Sequence, residues 1–136
     1  MNTKVLGYFR CARAVAPLMR SNGWGRIINI SGLAARQSGS IIGSIRNVSV
    51  AALTKNLADE WGPQGINVTV VHPGMTVTES TTEGQTARAA AGNVVQRAIT
   101  AQHIADVVAF LASPRSVAIN GDAIAAGGGV GRAIYY

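Results

Sequence analysis

The run Gly65-Ile66-Asn67-Val68-Thr69-Val70-Val71-His72-Pro73-Gly74 decides the fold. Ile66 to His72 is Val-rich and reads as a strand, and Pro73-Gly74 breaks it. An earlier run, Arg26-Ile27-Ile28-Asn29-Ile30-Ser31, is also β-branched and lacks clean alternation. That pattern suits a strand buried on both faces, as in a parallel sheet. A third short strand is expected over Gly121 to Ala126, ahead of Gly127-Gly128-Gly129. Helical patterns separate the strands, and strand–helix–strand order implies right-handed crossovers and a parallel sheet.

The helices follow from apolar spacing. Val5, Phe9, Ala12, Ala16 and Met19 place a first helix over about Thr3 to Ser21, with Asn22-Gly23 as its stop. Val50, Leu53, Leu57 and Trp61 form the stripe of a second, over Ser44 to Trp61, ended by Gly62-Pro63-Gln64-Gly65. Gly32 to Ile42 reads as a loop, and Thr78 to Thr86 as a polar, mobile one. Ala87 to Ile99 is helical by composition. Thr100 is an N-cap for Ala101 to Ala112, where Ile104, Val107, Val108 and Leu111 make the buried stripe. The whole chain, 1–136, reads as one incomplete domain: the order opens on a helix, and three strands are few for such a sheet.

Composition narrows the function classes. Of 136 residues, 48% are hydrophobic, within the globular range. The net charge is +6, but the basic residues are dispersed and no aromatics interleave with them, which argues against a nucleic-acid surface. No stretch approaches the roughly 18 apolar residues of a membrane span. No signal-peptide pattern opens the chain, so a cytoplasmic protein is expected. Cys11, the single cysteine, is expected as a buried reduced thiol on the first helix. His72 reads as a strand-end histidine, and no metal-ligand cluster is present.

Several segments resemble one family in order and spacing. They are Arg13 to Met19, Gly25 to Ser31, Ala51-Ala52-Leu53-Thr54-Lys55-Asn56-Leu57-Ala58-Asp59-Glu60, Gly65 to Gly74, Phe110-Leu111-Ala112-Ser113, and Asn120-Gly121-Asp122 through Gly129. Together they look like the C-terminal half of a short-chain dehydrogenase/reductase. The resemblance implies a partial doubly wound, Rossmann-like α/β fold with Ile66–His72 central, and NAD or NADP as cofactor. It also implies a homo-oligomer through the first two helices, using Phe9, Val48, Leu57 and Trp61.

The same resemblance exposes a departure. The family needs a Tyr-x-x-x-Lys pair on the second helix: the tyrosine as acid/base, the lysine to lower its pKa and hold the ribose. Those positions fall on Gly43 and Asn47. The tyrosines are Tyr8, Tyr135 and Tyr136 and the lysines Lys4 and Lys55, so no register restores the pair. The family serine falls on Gly32 or Ile30 depending on the anchor. Ser31 between them is the only hydroxyl candidate, and it reads as bonding local backbone. The family asparagine falls on Lys4, with Asn2 two residues out of register. Pro73-Gly74-Met75-Thr76-Val77-Thr78 matches the family's Pro-Gly-x-x-x-Thr, which makes Ser31, Pro73, Gly74, Thr76 and Thr78 the cofactor-side candidates. No glycine-rich turn leads into a helix N-terminus for a pyrophosphate; Gly127-Gly128-Gly129 reads as a C-terminal turn. The expectation is an oxidoreductase homologue without catalysis as the chain stands. The alternatives are a non-enzymatic binding or assembly module on the same scaffold, or a truncated form of a longer NAD(P)-binding protein.

Overall fold

The computed structural model describes residues 1–134; Tyr135 and Tyr136, counted in the tyrosine argument, lie outside the described residues. A π-helical turn, Asn2–Leu6, runs into α1 (Gly7–Ser21). Then follow β1 (Gly25–Ile30), α2 (Ile41–Trp61), β2 (Ile66–Pro73), β3 (Thr76–Val77), α3 (Glu83–Ala91), β4 (Ile99–Thr100), α4 (Ala101–Ala112) and β5 (Ala123–Ala126).

The main sheet is parallel with order β1-β2-β5, so the Val-rich strand is central as expected. Gly25 pairs with Ile66 and Ile30 with Val71; on the other side Val70 pairs with Ala123 and Pro73 with Ala126. Every residue from Ile66 to His72 is buried, which explains why this strand lacks polar alternation. The faces are nevertheless distinct. Ile66 and Val68 join Ala12 and Ala16 of α1 and Leu57, Ala58 and Trp61 of α2 in one core. The alanines let the two helices approach that face closely. Asn67 faces the other way, and its Nδ2 donates to the Val117 and Ile119 carbonyls after α4, at 3.1 and 3.0 Å. α4 itself closes against this sheet through the buried Leu111. Each large side chain buried here contributes roughly 1.5–3 kcal/mol. The outer edge of β1 pairs with no strand among the described residues.

Gly65 is required where it stands. Its φ is +82°, and a Cβ there would overlap the Gly23 carbonyl. That approach lets Gly25 N–H donate to Gly65 O at 3.0 Å and starts the β1–β2 register.

Several expectations are corrected. The helix expected over Ala87 to Ile99 instead occupies Glu83–Ala91, drawn back by a capping box between Thr82 and Gln85. The segment expected to be mobile therefore supplies a helix start. After Gly92 the chain turns, Gln96 takes φ 51°, and Ile99–Thr100 pairs in parallel with Thr76–Val77 as a second small sheet. The second helix begins three residues earlier than expected, because Ser40 caps it by accepting from Gly43 N–H. Cys11 is exposed, since the inward side of α1 is taken by Ala12 and Ala16. Leu57 and Trp61 are buried inside the chain and are not available to a partner; Val48 is exposed. The Thr100 N-cap stands, with a capping box closed by His103.

Candidate functional site

The carboxyl ends of β1, β2 and β5 lie side by side, the place where ligands of open parallel sheets collect. Ser31 leaves β1 there, fixed by its N–H to Val71 O at 2.8 Å. Its side chain reaches α2, in contrast to the local bonding expected of it: Oγ lies 3.2 Å from Asn47 Oδ1 and 3.4 Å from Asn47 O. Lys4, from the turn before α1, donates from Nζ to the same Asn47 Oδ1 at 3.0 Å. Asn47 is buried, and its Oδ1 is a single acceptor joining an ammonium and a hydroxyl. Burial, and then the nearby Arg46 charge, hold the Lys4 pKa below its ordinary value.

The neighbours of Ser31 settle its place. Ile30 turns outward, and its carbonyl accepts from Tyr8 Oη at 2.8 Å. Gly32 N–H donates to Nδ1 of the buried His72 at 3.2 Å, so this ring is neutral with its proton on Nε2. Burial lowers the His72 pKa, assisted by the Arg36 and Lys4 charges. His72 is thus a structural acceptor that holds the turn after β1. Of Ile30, Ser31 and Gly32, only Ser31 brings a hydroxyl to the cluster.

Gly43, where the resemblance set the tyrosine position, lies in the first turn of α2 and donates its N–H to Ser40 Oγ at 3.1 Å. A Cβ there would come within 2.8 Å of that oxygen, so the position serves the helix cap. Sequence reasoning named Lys4 without joining it to Asn47 and gave Tyr8 no role. It searched along α2 for a lysine, whereas the ammonium arrives from the chain's start, 43 residues away. The resemblance had set the asparagine position on Lys4 and the lysine position on Asn47, the two residues that the structure joins by one hydrogen bond.

The Pro73-Gly74 turn closes against the end of β5, with Gly74 N–H donating to Ala126 O at 3.2 Å. Gly74 and Gly127 approach so closely that a Cβ on Gly74 would sit 2.9 Å from Gly127 Cα. Thr76 Oγ1 donates to Gly74 O at 3.2 Å. Thr78 is exposed and bonded within its own turn: its N–H to Thr81 Oγ1 at 2.8 Å, its hydroxyl to Ser80 Oγ at 3.1 Å. Ser31, Pro73, Gly74 and Thr76 thus gather at the strand ends, whereas Thr78 is committed locally. Gly127-Gly128-Gly129 forms a turn, with Val94 N–H donating to Gly128 O at 2.9 Å. Among the described residues no glycine turn opens a helix toward a pyrophosphate, no group of three His, Cys, Asp or Glu could hold a metal ion, and no helix is long and apolar enough to cross a membrane.

The comparisons with known proteins agree with this architecture. The family model described as Enoyl-(Acyl carrier protein) reductase matches residues 1–131. A short-chain reductase protein, NovJ, of Streptomyces niveus is 34% identical over 134 residues, which cover 90% of this chain and 51% of that protein. The structure of YwfH, described as an NADPH dependent reductase involved in bacilysin biosynthesis, superposes with a TM-score of 0.87 at 28% identity, covering 96% of this chain and 56% of that one. A 3-oxoacyl-[acyl-carrier protein] reductase with bound NAD from Brucella melitensis superposes with a TM-score of 0.80 at 27% identity, covering 93% and 48%. The chain spans about half the length of the relatives it matches. It belongs to the short-chain dehydrogenase/reductase family.

Proposed function

We propose that this chain is an oxidoreductase homologue whose own residues do not carry out the family's hydride chemistry. The observation that carries the reading is the state of α2. The lysine position holds a buried Asn47 bonded to Lys4 and Ser31, and the tyrosine position holds the cap-forming Gly43. A carbonyl oxygen at Ser31 finds no phenol on α2 to protonate it, and general acid catalysis needs a donor within hydrogen-bond reach. NAD or NADP is the cofactor class supported by the relatives, one of which has bound NAD and another is NADPH dependent. When bound, that group would supply the hydride. Pro73, Gly74 and Thr76 could meet its carboxamide end, but among the described residues no glycine turn opens a helix toward its pyrophosphate. Negligible affinity for the 136-residue chain follows.

The experiment is to incubate the chain with NADH or NADPH and a panel of aldehydes and ketones, following the nicotinamide absorbance band and thermal stability. No turnover is expected, and no stabilisation at millimolar cofactor, since a ligand that binds only the folded state must raise its stability. Gly43→Tyr with Asn47→Lys should not rescue activity. Cofactor-dependent turnover abolished by Ser31→Ala would overturn the reading.

A second reading, an assembly module on the same scaffold, is favoured by the outer surface of α2. Ile41, Ile45 and Val48 recur at helical spacing and are all exposed. With the outer edge of β1, which pairs with no strand among the described residues, they support self-association as a homo-oligomer, and the longer NAD(P)-binding protein stays an alternative because the chain covers half of its relatives. Neither surface suggests nucleic acid or membrane, and a cytoplasmic setting belongs to the same proposal.

A further inference from the structure

The two lysines of the chain stand in opposite surroundings. Lys55 is exposed and ion-paired with Asp59. Lys4 forms no ion pair among the described residues, and its Nζ is bonded at 3.0 Å to the neutral Asn47 Oδ1. No Asp or Glu precedes Asp59 in the sequence, so the turn before α1, α1 itself and β1 carry cations only. Arg46, one residue before Asn47 on α2, sets a second positive charge near Lys4, and its Nε is buried without a hydrogen-bond partner. A guanidinium does not give up its proton in a protein. Where two cations share a partly desolvated site, the ammonium is therefore the one that can become neutral. Such surroundings turn a lysine into a nucleophile toward carbonyl carbon.

Ser31 and Asn47 complete the arrangement. Ser31 Oγ lies 3.2 Å from the same Asn47 Oδ1, so an amine and a hydroxyl converge on one oxygen. Lys4 and Ser31 are both half-buried, which leaves them open to a small molecule at the carboxyl end of β1.

We infer that Lys4 is the attachment point of a small aldehyde or ketone, held as a reversible imine. The free Lys4 amine attacks the carbonyl carbon and forms the C–N bond. The carbonyl oxygen takes a proton from that nitrogen and becomes the hydroxyl of a carbinolamine. This hydroxyl takes a second proton and leaves as water as the C=N bond forms. Ser31 Oγ, on the same acceptor as the amine, is placed to pass that proton in from solvent. The iminium keeps a single N–H, and Asn47 Oδ1 is there to accept it. Nothing is oxidised or reduced. The inference goes beyond the proposed function, since the step needs neither a phenol nor a nicotinamide.

The test is reductive trapping of the folded chain at neutral pH with hexanal and sodium cyanoborohydride, which reduces iminium ions in preference to aldehydes. Peptide mass spectrometry reads alkylation at Lys4, at Lys55 and at the α-amine separately. Lys4 should be alkylated severalfold faster than Lys55, and the difference should vanish in urea that unfolds the chain. Asn47→Asp is isosteric and puts a carboxylate beside the ammonium, which holds it charged. In that variant Lys4 should fall to the rate of Lys55 or below, although its exposure is unchanged. Arg46→Gln removes the second cation and should slow Lys4 to a smaller extent, and it decides the matter if Asn47→Asp does not fold. Folding of each variant is checked by far-UV dichroism. Labelling of Lys4 no faster than Lys55 in the folded parent overturns the assignment. So does a preference that persists in urea, or a Lys4 rate that no folded variant lowers. Trapping uses no nicotinamide. Cofactor-dependent turnover would therefore overturn the proposed function and leave imine formation standing, and a failure to trap at Lys4 would do the reverse.

Discussion

The coupling of Lys4 to Asn47 can be tested by exchanging the two residues. Asn47 Oδ1 accepts from Lys4 Nζ at 3.0 Å and lies 3.2 Å from Ser31 Oγ, and Asn47 is 4% exposed. Replacing it by Leu keeps the volume and removes the one oxygen that accepts both bonds. A hydrogen bond to a charged group is worth about 1.5–3 kcal/mol net and a neutral one about 1. Lys4 is only half-buried and rehydrates when released, so the lower end applies, and Ser31 keeps its longer contact to Asn47 O. Asn47→Leu should therefore cost about 2 kcal/mol, which for a chain of this size lowers Tm by about 8 °C. Lys4→Asn alone should cost about 1 kcal/mol. Asn47→Lys alone brings two ammonium groups together, and at about 4 Å with an effective dielectric near 20 that repulsion reaches up to about 4 kcal/mol. The double variant Lys4→Asn with Asn47→Lys re-forms the bond with the amide on the first helix and the ammonium on α2. Its loss should be smaller than the sum of the single losses by at least about 1 kcal/mol. Urea unfolding followed by far-UV dichroism gives all four corners of the cycle. Additive losses within about 0.5 kcal/mol, or an Asn47→Leu variant as stable as the parent, would show that the three side chains are neighbours without being coupled.

Two further outcomes follow from the structure. His72 titrates below the ordinary histidine range in the folded chain because it is buried and faces Arg36 and Lys4, whereas the unfolded chain takes up its proton near pH 6.5. Between those two pKa values the unfolded state holds more protons, so stability rises with pH across the window and falls as pH drops below about 6.5. The urea midpoint should decline from neutral to mildly acidic pH, and His72→Gln should flatten that decline; an unchanged midpoint in the parent would contradict the role given to the ring. Association should depend on α2, so Ile45→Glu with Val48→Lys should shift micromolar sedimentation toward 14.0 kDa; a parent already sedimenting as a single 14.0 kDa species would remove the assembly proposal.

The strands and long helices were legible because their signals are local. The β-branched runs at Gly25–Ile30 and Ile66–Pro73, the Pro73-Gly74 break and the Thr100 cap each depend on residues within one turn or one strand. Expectation and structure part where a distant partner decides. Ala87 to Ile99 has a helical composition, but Ile99–Thr100 is drawn into pairing with Thr76–Val77 and the intervening turn needs Gln96 at positive φ. Cys11 looked buried because its neighbours are apolar, yet the helix face toward the core is set by Ala12 and Ala16. The absence of a tyrosine and a lysine at Gly43 and Asn47 was readable directly, whereas the ammonium that reaches Asn47 could be placed only once the first helix and α2 were seen against each other.

The position of β2 between β1 and β5 also bears on how the chain folds. Its two pairings join residues roughly 40 and 50 positions apart in sequence, so closing one loop rather than the other differs by only about 0.2 kcal/mol. Loop closure cannot rank the two events; contact can. β1 aligns six residue pairs with β2 and brings α1 and α2 onto the core with it, whereas β5 aligns four. The rate-limiting step should accordingly assemble α1, β1, α2 and β2, with β5 docking on the downhill side of the barrier. Changes in the α1–α2 core would then slow folding, while changes in β5 would chiefly speed unfolding.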